Sequence, residues 1–291
     1  MTPDEIEIRL CDLYGTVDWP KANGVIHVAA MGAVSQAVII PGENAPVSET
    51  DRFILAAARA RADAIVTTGA ILRSEPELRH VPSSFEAENS AFREWRCDRL
   101  ERSGSPQLII LSASGDFPLE HPALDTSRSG FVWTTEEGAT NLRRRAGARL
   151  GNLEIIVGSP TDPAVLGAID HAQVTRGMET ILIEAGPSAS ASLYSRASLD
   201  TSTRTPGSGL VGRELLLSRF EDELAAEATG PAFPSRATVA ACFATPPSET
   251  QIEDASGHWS IMRYRFDGVL PDGGDGNVGT LPNEVGGPST R

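Results

Sequence analysis

Cysteine is scarce in this chain. Three residues in 291, Cys11, Cys97 and Cys242, are too few and too scattered for a disulfide framework. They form no CxxC pair and no Cys/His cluster at zinc spacing, and the five histidines never pair at i, i+4, so no metal is expected. Basic residues are also short, with Lys+Arg 25 against Asp+Glu 39 and a net charge of −14. That balance disfavours nucleic acid and anionic membrane surfaces, both of which call for a basic face. Apolar runs stop well short of the ~20 residues that a membrane helix requires. The first residues, MTPDEIEIRL, lack the basic and apolar regions of a signal peptide. Together these absences predict a soluble protein of a reducing, cytoplasmic compartment. No G-x-S-x-G elbow suggests a hydrolase.

What the chain does contain is 40% hydrophobic residues, enough for a substantial core. Short β-branched runs recur at Gly24–Met31, Asp63–Thr68, Gln107–Ser112, Gly130–Thr135, Leu153–Gly158 and Thr180–Gly186. Being apolar on both faces, they predict central strands covered on each side. Helices are predicted between them over 48–62, 86–102, 140–150 and 163–173. Alternation of this kind gives an α/β fold with a largely parallel sheet, three layers deep. Later segments, Glu214–Glu221, Arg236–Phe243 and His258–Phe266, read as strands without long helices between them, and so as antiparallel additions. The division is an N-terminal extension over 1–23, one domain over 24–266 with a polar surface insertion at 195–209, and a Gly/Pro-rich disordered tail over 267–291.

Two stretches could carry chemistry. In ILIEAGPSASASLY, a strand enters a turn at Gly186, Pro187 and Ser188, where a glycine before a helix start suits a pyrophosphate. The same residues also fit an ordinary βα turn. Glu184 ends that strand as a carboxylate in apolar surroundings, which calls for a partner. In RARADAIVTTGAILRSEPEL, hydroxyls and free N–H groups at Thr67–Ala70 end a parallel strand, where α/β sheets bind ligands. Arg59 and Arg73 could serve a phosphate there, or be solvated helix residues. A literal G-x-G-x-x-G at Gly207, Gly209 and Gly212 follows a loop rather than a strand and fails as a dinucleotide fingerprint.

Three motifs, in order, resemble the pyrimidine-reductase family of riboflavin biosynthesis, with its dihydrofolate-reductase-like fold. They are Ser48, Asp51 and Arg52 followed by Arg59–Ile65, the strand and turn QLIILSASGDFP, and EAGPS at Glu184–Ser188. The resemblance implies an NADPH-dependent reductase acting on 5-amino-6-(5-phosphoribosylamino)uracil, as a homodimer. It implies cofactor contacts at Ala30, Ala70, Ser112, Gly186, Pro187 and Ser188, and substrate contacts at Arg59, Leu78 and Glu184. Ser112 and Ser114, then Arg143, are the donors nearest to hand for a 2′-phosphate. The chain departs from the family pattern at Ala33, Ala70 and Ser74, where family motifs carry Asp, Thr and Asp. No H-x-E or P-C-x-x-C marks a zinc deaminase partner domain. A reductase of the same fold with another small polar substrate, and a non-catalytic nucleotide-binding relative, are the alternatives.

Overall fold

Strands that are apolar on both faces must be covered on both faces, and the computed structural model shows this arrangement. It describes residues 1–15, 19, 24–126, 129–146, 150–159, 164–194, 213–243 and 245–266. In chain order the elements are α1 (Pro3–Tyr14), β1 (Gly24–Gly32), β2 (Ala37–Ile39), α2 (Glu49–Arg61), β3 (Ala64–Thr68), α3 (Gly69–Ser74) and α4 (Glu86–Asp98). Then follow β4 (Gln107–Leu111), α5 (Pro122–Thr126), β5 (Gly130–Thr134), α6 (Glu136–Ala146), β6 (Leu153–Val157), α7 (Ala164–Asp170) and β7 (Thr180–Ile183). The last are α8 (Pro187–Ser190), β8 (Arg213–Phe220), β9 (Thr229–Ala232), α9 (Arg236–Ala240), β10 (Ser248–Asp254) and β11 (Gly257–Phe266).

The sheet runs β10-β11-β8-β1-β7-β3-β4-β5-β6. From β8 to β6 every pairing is parallel, and β11 and β10 are added antiparallel at one side. The strands at Asp63, Gln107 and Thr180 lie adjacent and parallel, as expected. On one face α1, α2 and α4 cover Ile26, Ile65, Leu182, Leu216 and Ile261. The same face continues through Leu108, the register partner of Ile65, to Leu72, Phe117 and Leu142. On the other, Val66, Ile109, Phe131 and Ile181 meet Val165 and Ile169 of α7, with Leu193 and Val239 beyond. The three-layer α/β architecture is thus present.

Three expectations need correction. The Glu214–Glu221 segment forms β8, which runs parallel to β1 rather than antiparallel. The composition of residues 213–220 carries no signal of direction. Arg236–Phe243 is not a strand but begins as helix α9, because the Ser235 hydroxyl accepts from Thr238 N at 3.2 Å and caps an alanine-rich turn. The predicted helix over 140–150 starts earlier, at Glu136, where the Thr135 hydroxyl accepts from Gly138 N at 3.1 Å. Several elements carry no assignment in the sequence reading, among them α1 and β10. Helix α1 opens on a capping box between Thr2 and Glu5 and buries Ile6, Leu10, Leu13 and Tyr14. Strand β10 is a polar edge strand, mostly exposed. The expected insertion, the tail and the Gly207–Gly212 motif lie outside the described residues. Among the described residues, no helix is long and apolar enough to cross a membrane.

Candidate functional site

Parallel strands bring their C-terminal ends to one edge, and the turns there form the rim of a cavity. Its volume is about 410 Å³, and Thr68, Ser112, Trp133, Thr134, Ser159 and Ser188 are among its lining residues. Short hydrogen bonds lace the turns together. The Thr134 hydroxyl donates to Ser112 O at 2.6 Å, and the Thr135 hydroxyl to Ala113 O at 2.8 Å. Gly115, at φ +69°, lies so close to α6 that a Cβ would sit 2.3 Å from Gly138 O, which fixes the β4 turn on that helix. Trp133 is seated the same way: a Cβ on Gly158 or Gly167 would come within 2.2 or 2.6 Å of its indole. The ring therefore forms a rigid wall of the cavity.

The EAGPS turn closes this rim. Glu184 N extends the ladder by donating to Val66 O at 2.8 Å. Gly186 adopts φ −61°, ψ 167° as the N-cap of α8, a conformation open to any residue. A Cβ there would meet nothing within 4 Å. Neither packing nor backbone geometry requires glycine at this position, and the space above it is open to a ligand.

The residues implied as cofactor contacts separate into two groups. Ser112 and Ser188 line the cavity, and Gly186 and Pro187 stand directly before Ser188. Ala70 sits exposed in the first turn of α3, next to the cavity residue Thr68. Ala30 lies apart on β1, paired with Ser218 of β8. Ser114 accepts from Asp116 N at 3.3 Å within its own turn, and Arg143 is an exposed residue of α6.

Arg59 and Glu184, both implied as substrate contacts, meet each other directly. Arg59 Nε and Nη2 each donate to a Glu184 oxygen at 2.7 Å, a bidentate pair with side chains only 9% and 10% exposed. The remaining Nη1 donates to Val81 O at 3.0 Å, so the guanidinium also fastens the loop after α3. His80 Nδ1 lies 3.3 Å from Glu184 Oε2. Burial alone would raise the Glu184 carboxyl, but the Arg59 charge and hydrogen bonds, with His80, hold it well below the usual carboxylate range. Burial and the nearby Glu184 charge push the Glu75 carboxyl up, against His80, Arg59 and His121. Arg59 and Leu78 border a second, wider groove of about 1000 Å³ on the α2 side, with Arg9, Arg52 and Arg79. Ser112 and Ser188 thus line one cavity, while Arg59 and Leu78 border a different groove.

Sequence reasoning missed Trp133, although it predicted the strand that carries it. It also missed His80 and Glu75, for which the sequence holds no local signal. Among the described residues there is no group of three or more metal-ligating side chains.

No protein-family model matches the chain, and no curated protein matches it in sequence. A pyrimidine reductase-like protein from Corynebacterium diphtheriae matches in structure, with a TM-score of 0.58 and 20% identity over 91% of this chain and 98% of that one. RibD of Acinetobacter baumannii, in two forms, matches with a TM-score of 0.51 and 16% identity over 84% of this chain and 58% of that one. The chain thus spans a little over half of RibD. At these identities the likeness establishes a shared fold.

Proposed function

We propose that the chain is a reductase that uses a dihydronicotinamide dinucleotide, NADPH, to reduce a small polar substrate. In the fuller form of this reading the substrate is 5-amino-6-(5-phosphoribosylamino)uracil. The observation that supports it best is the cavity at the strand C-termini, walled by hydroxyls and one indole and bordered by the open backbone at Gly186. When bound, the dinucleotide supplies the hydride. Ser112 and Ser188 would donate to its polar atoms, Trp133 would shield one face from water, and Gly186 would let the backbone approach. The Arg59–Glu184 pair fixes the loop that bears Leu78, and so shapes the substrate end. A second reading, the same chemistry on another small polar substrate, draws on that pair: its strongest bonds are internal, which leaves less to grip a sugar phosphate.

Trp133 makes the proposal measurable, because of the four tryptophans only this one lines the cavity. Titrating the protein with NADPH should quench tryptophan emission and sensitise nucleotide emission. Trp133→Phe should remove most of that transfer while weakening binding less than about tenfold. A wild-type protein with no saturable response to NADPH would overturn the reading. Loss of dihydronicotinamide absorbance on adding the pyrimidine separates the fuller form from the second reading. Gly186→Val should keep the melting temperature within about 2 °C, since its side chain enters open space. NADPH affinity should fall by more than about tenfold. Unchanged affinity would place the nucleotide elsewhere.

A further inference from the structure

At the opposite edge of the sheet lies a buried polar cluster that the proposed reaction does not use. Glu214 of β8 takes two guanidiniums: Arg61 Nη2 donates to Oε2 at 2.7 Å, and Arg263 Nε donates to Oε1. Exposure is 2% for Arg61, 5% for Arg263 and 7% for Glu214. Among the described residues, two buried positive charges therefore share the one carboxylate in contact with them. Both guanidiniums pack on the Trp19 ring, at 4.7 and 4.3 Å from its centroid, and Tyr14 lies 5.6 Å away, ring to ring.

Five polar groups of this cluster are buried without a hydrogen-bond partner: Arg61 Nε and Nη1, Arg263 Nη2, Trp19 Nε1 and Tyr14 Oη. All can donate. Burial and then the Glu214 charge push the Tyr14 hydroxyl well above its ordinary range, so it keeps its proton. Burial also pushes Arg263 down, with Glu214 opposing and Arg61 adding to the strain of unbalanced charge. Stacking on the indole accounts for part of the guanidinium charge. It does nothing for Trp19 Nε1 or Tyr14 Oη, which lie at ring edges. A buried excess cation surrounded by unmet donors is costly unless something neutralises and accepts from it.

We propose that this cluster binds a small monovalent anion, chloride being the simplest, held by Arg61, Arg263, Trp19 and Tyr14. One negative charge balances the excess, and a spherical acceptor can take several donors at once. Such an ion would pin three elements together, since Tyr14 ends α1, Arg61 ends α2 and Arg263 stands on β11. It belongs to the folded state and is independent of the proposed reaction.

The test is thermal unfolding of the whole chain in sodium chloride and in sodium gluconate at equal sodium concentration, with crystals soaked in bromide. Chloride should raise the melting temperature by roughly 3–5 °C per tenfold increase above its dissociation constant, whereas gluconate is too large to enter. Bromide should give an anomalous peak within hydrogen-bond reach of Arg61 and Arg263. Trp19→Phe, which keeps the ring packing and removes one donor, should shift the chloride response to higher concentration. Equal responses to chloride and gluconate would overturn the proposal. So would bromide peaks confined to the surface, or a water molecule in the cluster.

Discussion

Arg59→Met should destabilise the protein by roughly 3–5 kcal/mol at neutral pH, the usual cost of breaking a buried ion pair from one side. The substitution leaves the Glu184 carboxylate, 10% exposed, with only His80 close by. It also frees the loop that Arg59 fastens through Val81 O. Glu184 sits below its ordinary value of 4.5 in the folded protein, so its contribution is fully present above about that pH and is lost as pH falls. In the variant only His80 opposes burial, so the carboxyl takes up a proton more readily and the penalty should shrink in acid. Denaturant unfolding at pH 7 and pH 4 would show a gap that narrows. Arg59→Met with Glu184→Leu should recover most of the loss, since it removes both charges. A single-variant cost under about 1 kcal/mol would mean that the pair behaves as an exposed one.

The central sheet was legible in the sequence for a specific reason. Ile65, Ile109 and Ile181 belong to runs that are apolar on both faces, and only a covered parallel sheet suits such runs. Legibility fails wherever a decision is made far away in the chain. β8 carries the same apolar composition whichever way it runs, so its direction was not available from residues 213–220. β10 reads as polar because it is an edge strand, and its membership depends on β11. The site shows the same split. Ser112 and Ser188 follow strands, and a strand-to-turn pattern is enough to place them on the rim. Trp133 becomes a cavity wall because Gly158 and Gly167, on later elements, leave room for its ring. Arg59 and Glu184 were both identified, yet they lie 125 positions apart, and no spacing rule says that they take each other as partners.

Between pH 6.5 and pH 4 the protein should lose about 3 kcal/mol through His27 alone. His27 stands on β1, 3% exposed, with its Nδ1 2.5 Å from Tyr194 Oη and its ring stacked on Phe233. Burial lowers its pKa from 6.5 to about 4, with a backbone hydrogen bond to Ala185 opposing. The sign follows from which state takes the proton. Above pH 6.5 neither state is protonated, and there is no effect. Below it the unfolded chain binds a proton that the folded one refuses until about pH 4, so stability falls through that window and then levels. The Glu184 contribution fades only below about 4.5, and the slope from the raised Glu75 carboxyl is common to wild type and His27→Gln. The difference between those two proteins above that pH therefore isolates the imidazole. His171, also lowered by partial burial and then by Arg176, is the control, and His171→Gln should remove much less of the slope. His27→Gln should cost about 1 kcal/mol at pH 7 through imperfect packing and unfold with a much flatter pH dependence. The two stability curves should therefore cross on the acid side. Parallel curves from pH 7 to 4.5 would show that His27 is protonated equally in both states and that its burial exerts no hold on the proton.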